Sequence, residues 1–148
     1  MSEIREYLDF EVIKERWNVY DLEDGTKIKT RMMLYNVWLG TDNSGSKKYL
    51  CDIRKAEVLL CDPSMQGEKD QTDYTPEQLG QSIEKDACQY TTTSYEPSEY
   101  TFGDNARMFI HSNMGRISRT SIFDSGGNRI YSYDLASSPS ICQDRLQG

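Results

Sequence analysis

The stretch YDLEDGTKIKTRMMLYNVWLGTDNSGS, from Tyr20 to Ser46, decides how this chain is interpreted, because a related pattern returns later. The later stretch is YTFGDNARMFIHSNMGRISRTSIFDSGG, from Tyr100 to Gly127. A shift of 80 residues places the first on the second, and two extra residues in the later turn move the shift to 82 for the return strands. Each stretch reads as a tight turn, a long strand, a polar turn and a return strand. The sequence therefore indicates an internal repeat, with one structural unit present in two copies.

Two details of these stretches carry the strand prediction. Asp24-Gly25 stands between alternating runs and is a strong hairpin signal, because glycine accepts the positive φ that such turns require. Asp104-Asn105 occupies the same place in the second stretch, since asparagine tolerates that conformation better than most residues. The alternation then slips in phase before Val37 and Ile117, which predicts either a two-sided strand or a β-bulge, with Gly115 as a natural bulge site.

The connection between the two units contains a helix signal. Thr75 is a candidate N-cap, Pro76 fits the first helical position, and Gln78 can complete a capping box. Leu79, Ile83 and Ala87 lie at helical spacing after it, which predicts a short helix from about 76 to 88.

Together these patterns predict a mainly β protein. We expect a six-stranded antiparallel barrel or sandwich, built from two repeated three-stranded meanders, with one short helix in the connection. The chain of 148 residues has the length of a single domain, 1–148. Within it we place repeat 1 at about 10–61, the connection at about 62–91 and repeat 2 at about 92–142.

Composition bounds the location and the partners. The formal net charge is −7, which works against non-specific binding to nucleic acid or to an anionic membrane. No run approaches the roughly 20 apolar residues of a membrane helix, and the start of the chain lacks the order of a signal peptide. We expect a cytoplasmic protein, or one of a virion if the chain is viral, without a membrane partner.

No catalytic or metal-binding constellation stands out in the sequence. His111 is the only histidine, and we expect it on a solvated face. The four cysteines, Cys51, Cys61, Cys88 and Cys142, lack the spacing of a zinc site and are expected to be free thiols. We therefore predict no enzyme, no cofactor and no metal site.

The leading functional hypothesis is a non-catalytic structural or interaction module, a subunit or decoration protein of a larger assembly such as a viral one. A protein partner or a second copy would bind at apolar residues that the core does not need, and the candidate anchors are Trp17, Val19 and Trp38. The alternative is a β-barrel that binds single-stranded nucleic acid or a small ligand. For nucleic acid the candidates are basic residues beside aromatic ones such as Tyr35, namely Lys27, Lys29, Arg31, Arg107 and Arg119.

Overall fold

The computed structural model of the chain describes residues 4–41, 43–71 and 73–143. Within those residues the first half of the chain forms five strands, β1 (Glu6–Leu8), β2 (Phe10–Lys14), β3 (Asn18–Leu22), β4 (Lys27–Thr41) and β5 (Lys47–Leu60). A 3₁₀ turn (Pro63–Met65) and one helix, α1 (Pro76–Gln81), lie in the connection. The second half forms β6 (Ile83–Lys85), β7 (Tyr90–Ser94), β8 (Ser98–Phe102), β9 (Ala106–Phe123) and β10 (Arg129–Gln143).

The strands form two antiparallel sheets of five strands each. In sheet A the long strand β4 pairs with β5 along one edge, and with β3 and then β1 along the other, while β7 lies outside β3. In sheet B the long strand β9 pairs with β10 along one edge, and with β8 and then β6 along the other, while β2 lies outside β8. The two sheets thus share one pairing scheme.

This arrangement corrects the expected six-stranded barrel or sandwich of three-stranded meanders. The mainly β, antiparallel character is confirmed, but the sheets do not close into a barrel within the described residues. The predicted strand over 10–22 breaks at 15–17, and its counterpart breaks at 95–97 around Pro97, so each becomes two strands. At each break the chain crosses to the other sheet, so β2 joins β8 in sheet B and β7 joins β3 in sheet A.

The turns and the phase slip lie where the sequence indicated. Gly25 has φ +93° and Asn105 has φ +68° in the two hairpin turns. The register of β4 against β5 shifts between Leu34 and Asn36, and that of β9 against β10 shifts between Met114 and Ile117, opposite Leu135 and Tyr133. The β-bulge at Gly115 is therefore confirmed.

The helix begins as predicted but ends early. The side chain of Thr75 accepts a hydrogen bond from the backbone N–H of Gln78, and the side chain of Gln78 accepts one from the backbone of Thr75, which completes the capping box. The helix ends at Gln81, however, and Ile83–Lys85 forms strand β6 against β9. The expected continuation to about 88 is wrong because pairing with an open edge of β9 satisfies this backbone, and Ala87 then turns the chain with φ +51°.

The space between the sheets holds two hydrophobic clusters. One combines residues late in β4 with residues of β8 and early β9, among them Met32, Tyr100 and Met108. The other combines β3 and early β4 with residues late in the second half, among them Ile28 and Ile117. Each cluster also contains an edge-to-face aromatic pair at a centroid distance of 5.8 Å, Phe10 with Tyr100 in one and Tyr20 with Tyr90 in the other.

A gap in sheet A is closed by side chains of sheet B. Between the segments of β4 that pair with β3 and with β1, the N–H of Leu34 donates to the hydroxyl of Tyr100 at 3.0 Å. The same hydroxyl donates to the carboxylate of Glu15 at 2.6 Å, and Ser98 Oγ donates to the carbonyl of Met32 at 2.7 Å. Burial, together with the hydrogen bond to Glu15, raises the pKa of Tyr100. The phenol thus remains neutral, and it accepts a hydrogen bond from a backbone N–H of β4 that neither β3 nor β1 pairs.

Candidate interaction surface

The outward side of sheet A brings together several of the residues that the sequence singled out. Along β4 the side chains of Ile28, Thr30 and Met32 are buried between the sheets, so those of Lys27, Lys29 and Arg31 lie on the opposite side, as strand alternation requires. Opposite them on β5 stand Leu60, Val58 and Ala56 in register. We call this surface the sheet A face; it comprises the outward residues of Lys27–Tyr35 and Arg54–Leu60, with Trp17 and Val19 beside them.

Aromatic rings position the cations of the sheet A face. The ammonium of Lys29 lies 5.4 Å from the centroid of the Trp17 ring, and the guanidinium carbon of Arg31 lies 5.8 Å from it. At the bulge of β4, the guanidinium carbon of Arg54 lies 4.4 Å from the centroid of the exposed Tyr35 ring. Cations held over aromatic faces in this way lose conformational freedom before any partner arrives.

Only some of these cations have a carboxylate nearby. Lys27 pairs with Asp21 at 3.7 Å, and Arg31 pairs with Glu15 at 2.7 Å. Lys29 and Arg54 form no ion pair among the residues that the structure describes.

The balance of charge on the face is opposite to that of the chain. The sheet A face contains four cations, and three carboxylates lie at its margin, so face and margin together carry +1; the residues concerned are Lys27, Lys29, Arg31, Arg54, Glu15, Asp21 and Asp52. Since the chain carries −7, the rest of it carries −8. The face is therefore a local positive surface on an acidic protein.

Exposed aliphatic side chains accompany the cations. Leu60 is 51% exposed and Val58 is 37% exposed, and Val19 beside them is half-buried. The sequence reasoning missed Val58, Leu60 and Arg54. The signal that could have found them is the alternation of β5, where Ile53 and Leu59 pack between the sheets while Val58 and Leu60 fall on the opposite side.

The outward side of sheet B provides an internal comparison. The shift of 80 residues places Pro97 where sheet A has Trp17, and Glu99 where it has Val19. The shift of 82 places Ser140 where sheet A has Val58. At these three matched positions sheet A carries apolar side chains and sheet B does not.

The remaining predicted residues lie elsewhere. Trp38 is buried at 6% exposure beneath Tyr7 and Arg5, whose guanidinium carbon lies 4.4 Å from its ring centroid, so Trp38 is not on the sheet A face. Arg107 is on sheet B and pairs with Glu99 at 3.5 Å. Arg119 is largely buried in a polar cluster. The five basic residues of the nucleic-acid hypothesis therefore do not form one strip.

That polar cluster joins the first hairpin to the end of sheet B. One carboxylate oxygen of Asp24 accepts a hydrogen bond from the Tyr131 hydroxyl at 2.5 Å and lies 3.3 Å from the Arg119 guanidinium, which also pairs with Glu84 at 2.9 Å. Burial alone would raise the pKa of Asp24, but hydrogen bonds from Tyr131, Thr26 and Arg119 outweigh it and hold that pKa below its ordinary value. The carboxylate is fully partnered, so the cluster fastens the hairpin rather than offering a reactive group.

An open cavity of about 620 Å³ lies on sheet B. Among its lining residues are Phe10, Thr101, Arg107, Phe109 and Cys142, together with the acidic Asp9 and Glu11. Sequence reasoning did not foresee it, because its walls come from β2, the β8–β9 turn and β10, which are distant along the chain.

Classical catalytic and metal-binding groups are dispersed. The half-buried His111 contacts the Tyr95 hydroxyl through Nδ1 at 3.3 Å. The four cysteines are free, and the described residues contain no cluster of three or more side chains suited to a metal ion. Nor does the described part of the chain hold a helix with the length and apolarity to cross a membrane.

Comparison with known proteins gives no relative from which the role of the sheet A face could be inferred. No family model, curated protein or solved structure matches the chain.

Proposed function

We propose that the chain is a non-catalytic interaction module that binds a protein partner through the sheet A face, as a subunit of a larger assembly. The observation that carries the proposal is the difference between two matched surfaces. Where sheet B presents Pro97, Glu99 and Ser140, sheet A presents Trp17, Val19 and Val58. Apolar side chains at three matched positions of sheet A, with Val58 and Leu60 exposed, favour a contact there, because polar residues or proline would suit a solvated face at the same positions.

The chain would act as one domain composed of two related halves. Both sheets use the same pairing scheme, and matching residues supply the two aromatic pairs of the core. We attribute this to duplication of an ancestral half, after which one outer face gained its contact role. The proposal places the protein inside a cell or in a particle assembled there.

Site-specific photocrosslinking tests the proposed contact. A photoreactive amino acid replaces Val58 in one variant and Ser140 in a matched control, since the two positions correspond on the two sheets. In an extract of the native source we expect a discrete crosslinked product from position 58 and none from position 140. Equal products from both positions, or none from position 58, would refute the sheet A face as a contact.

The cavity on sheet B favours a second candidate function, the binding of a small ligand. Its volume of about 620 Å³ suits an organic molecule, and Arg107 supplies a cation at its wall. Native mass spectrometry of protein purified from its source checks this, because a bound ligand adds a fixed mass that Arg107→Glu should abolish. A spectrum with only the mass of the bare chain would count against it.

A further inference from the structure

The sheet A face carries information about the chemistry of its partner. Resting on the proposed function, we infer that this partner is an acidic protein segment, with aliphatic side chains lying between its carboxylates. Three features of the molecule support it: the two cations that lack a carboxylate partner, the apolar residues between them, and the charge of the remaining surface.

The two unpaired cations define two positions for carboxylates. Lys29 lies over Trp17 and Arg54 lies over Tyr35, so each is directed by a ring while its charge remains unmatched among the described residues. Lys29 is in register with Val58, and Arg54 is four residues further along the same strand. Four residues of strand rise and one strand spacing separate them, which is about 14 Å. That figure separates the two Cα atoms, and the side chains set the distance between the two charges, so a partner needs two carboxylates at separate places along its chain.

The surface between the two cations is apolar and small. Ala56 and Val58 lie there on β5, and Leu60 extends the aliphatic surface beyond Lys29. Burial of such side chains yields roughly 25 cal/mol for each Å² removed from water, so aliphatic residues of a partner are favoured there. A partner that carried only charge would leave these aliphatic side chains without a complementary contact.

A polyanion fits the same face less well. The rings of Trp17 and Tyr35 already have cations over them, whereas single-stranded nucleic acid is held by bases stacked on free rings. Lys27 and Arg31 already pair with carboxylates of the chain. The −8 carried by the rest of the chain would also repel a long row of phosphates more than a segment with two carboxylates.

A random peptide library displayed on phage is the probe that tests the inference. It is selected against three forms of the 148-residue protein: wild type, Lys29→Glu/Arg54→Glu, and the sheet B control Arg116→Glu, at an exposed position outside the cavity. We expect peptides enriched in Asp and Glu with intervening aliphatic residues from wild type and from the control. The same synthetic peptides should bind the double variant at least about tenfold more weakly. Circular dichroism and thermal unfolding establish that each variant is folded. If Lys29→Glu/Arg54→Glu does not fold, Lys29→Gln/Arg54→Gln replaces it.

The outcomes separate this inference from the proposed function. Peptides that are not acidic, yet lose binding in Val58→Asp, would overturn the acidic partner while supporting a contact at the sheet A face. Enriched peptides that bind all variants equally would overturn both. Two further results would overturn the assignment of a separate acidic protein. One is that a fluorescent poly-dT oligonucleotide binds wild type more tightly than the peptides do and does not bind the double variant. The other is that wild type self-associates in light scattering and the double variant does not.

Discussion

Replacement of Tyr100 by phenylalanine tests how the gap in sheet A is closed. The hydroxyl of Tyr100 accepts from the N–H of Leu34 at 3.0 Å and donates to Glu15 at 2.6 Å, and Tyr100 is fully buried. Tyr100→Phe leaves the buried N–H without a partner, which costs about 1–3 kcal/mol, and removes a charged hydrogen bond worth a similar amount. Glu15 keeps its pair with Arg31, which lessens the second loss. We expect the free energy of unfolding to fall by about 2–4 kcal/mol.

Urea unfolding followed by circular dichroism measures this loss, and Tyr20→Phe is the matched control. Tyr20 takes the corresponding place in the first half and is also buried, but its hydroxyl has only a long contact of 3.4 Å with Ser112 Oγ. Ser112 also accepts from Asn18, so it keeps a partner in that variant. We expect Tyr20→Phe to cost about 1 kcal/mol or less. A Tyr100→Phe protein no less stable than Tyr20→Phe would refute the assignment of the gap-closing role to the phenol.

Three further predictions concern stability. Burial and the hydrogen bond to Asp24 raise the pKa of Tyr131. The contribution of Tyr131 to stability is therefore complete below its unfolded pKa of about 10 and is lost as pH rises above that value. In urea titrations between about pH 10 and 11, the free energy of unfolding should fall by up to about 1 kcal/mol less in Tyr131→Phe than in wild type. Gly25→Ala should lower the melting temperature more than Gly45→Ala, because both glycines have positive φ but only at position 25 would the new Cβ collide with a side chain, that of Asp62, whose carboxylate is held by the N–H of Ser64; equal losses would contradict this. Asp24→Ala should cost about 2–3 kcal/mol in thermal unfolding, since it leaves the largely buried Arg119 with one carboxylate instead of two, and a loss below about 0.5 kcal/mol would count against the cluster as a fastening.

The exchange of strands between the halves has a consequence for folding. Strand β2 of the first half pairs with β8, and β7 of the second half pairs with β3. Each sheet is therefore incomplete without a strand from the other half, and both hydrophobic clusters draw on both halves. The two halves are expected to unfold as one cooperative unit, because neither can bury its apolar side alone.

The sequence by itself determined the local features of this protein. The hairpin turn at Asp24-Gly25, the bulge at Gly115 and the start of α1 at Pro76 were all predicted correctly. Each depends on the φ preference of one residue, on strand alternation, or on a cap between near neighbours. These are short-range effects, and a single stretch of chain contains all the groups involved.

Only the tertiary structure decided which sheet each strand joins and what covers each face. Backbone hydrogen bonds along a strand edge are the same for every partner, so alternation could not show that β2 crosses to β8 or that Ile83–Lys85 leaves a helical pattern to fill an edge of β9. Alternation also could not show what covers an outward residue. Trp38 points outward by alternation but lies buried under Tyr7, while the aliphatic side of β5 stays exposed. Partners distant along the chain settle these outcomes, because burial depends on which surfaces meet.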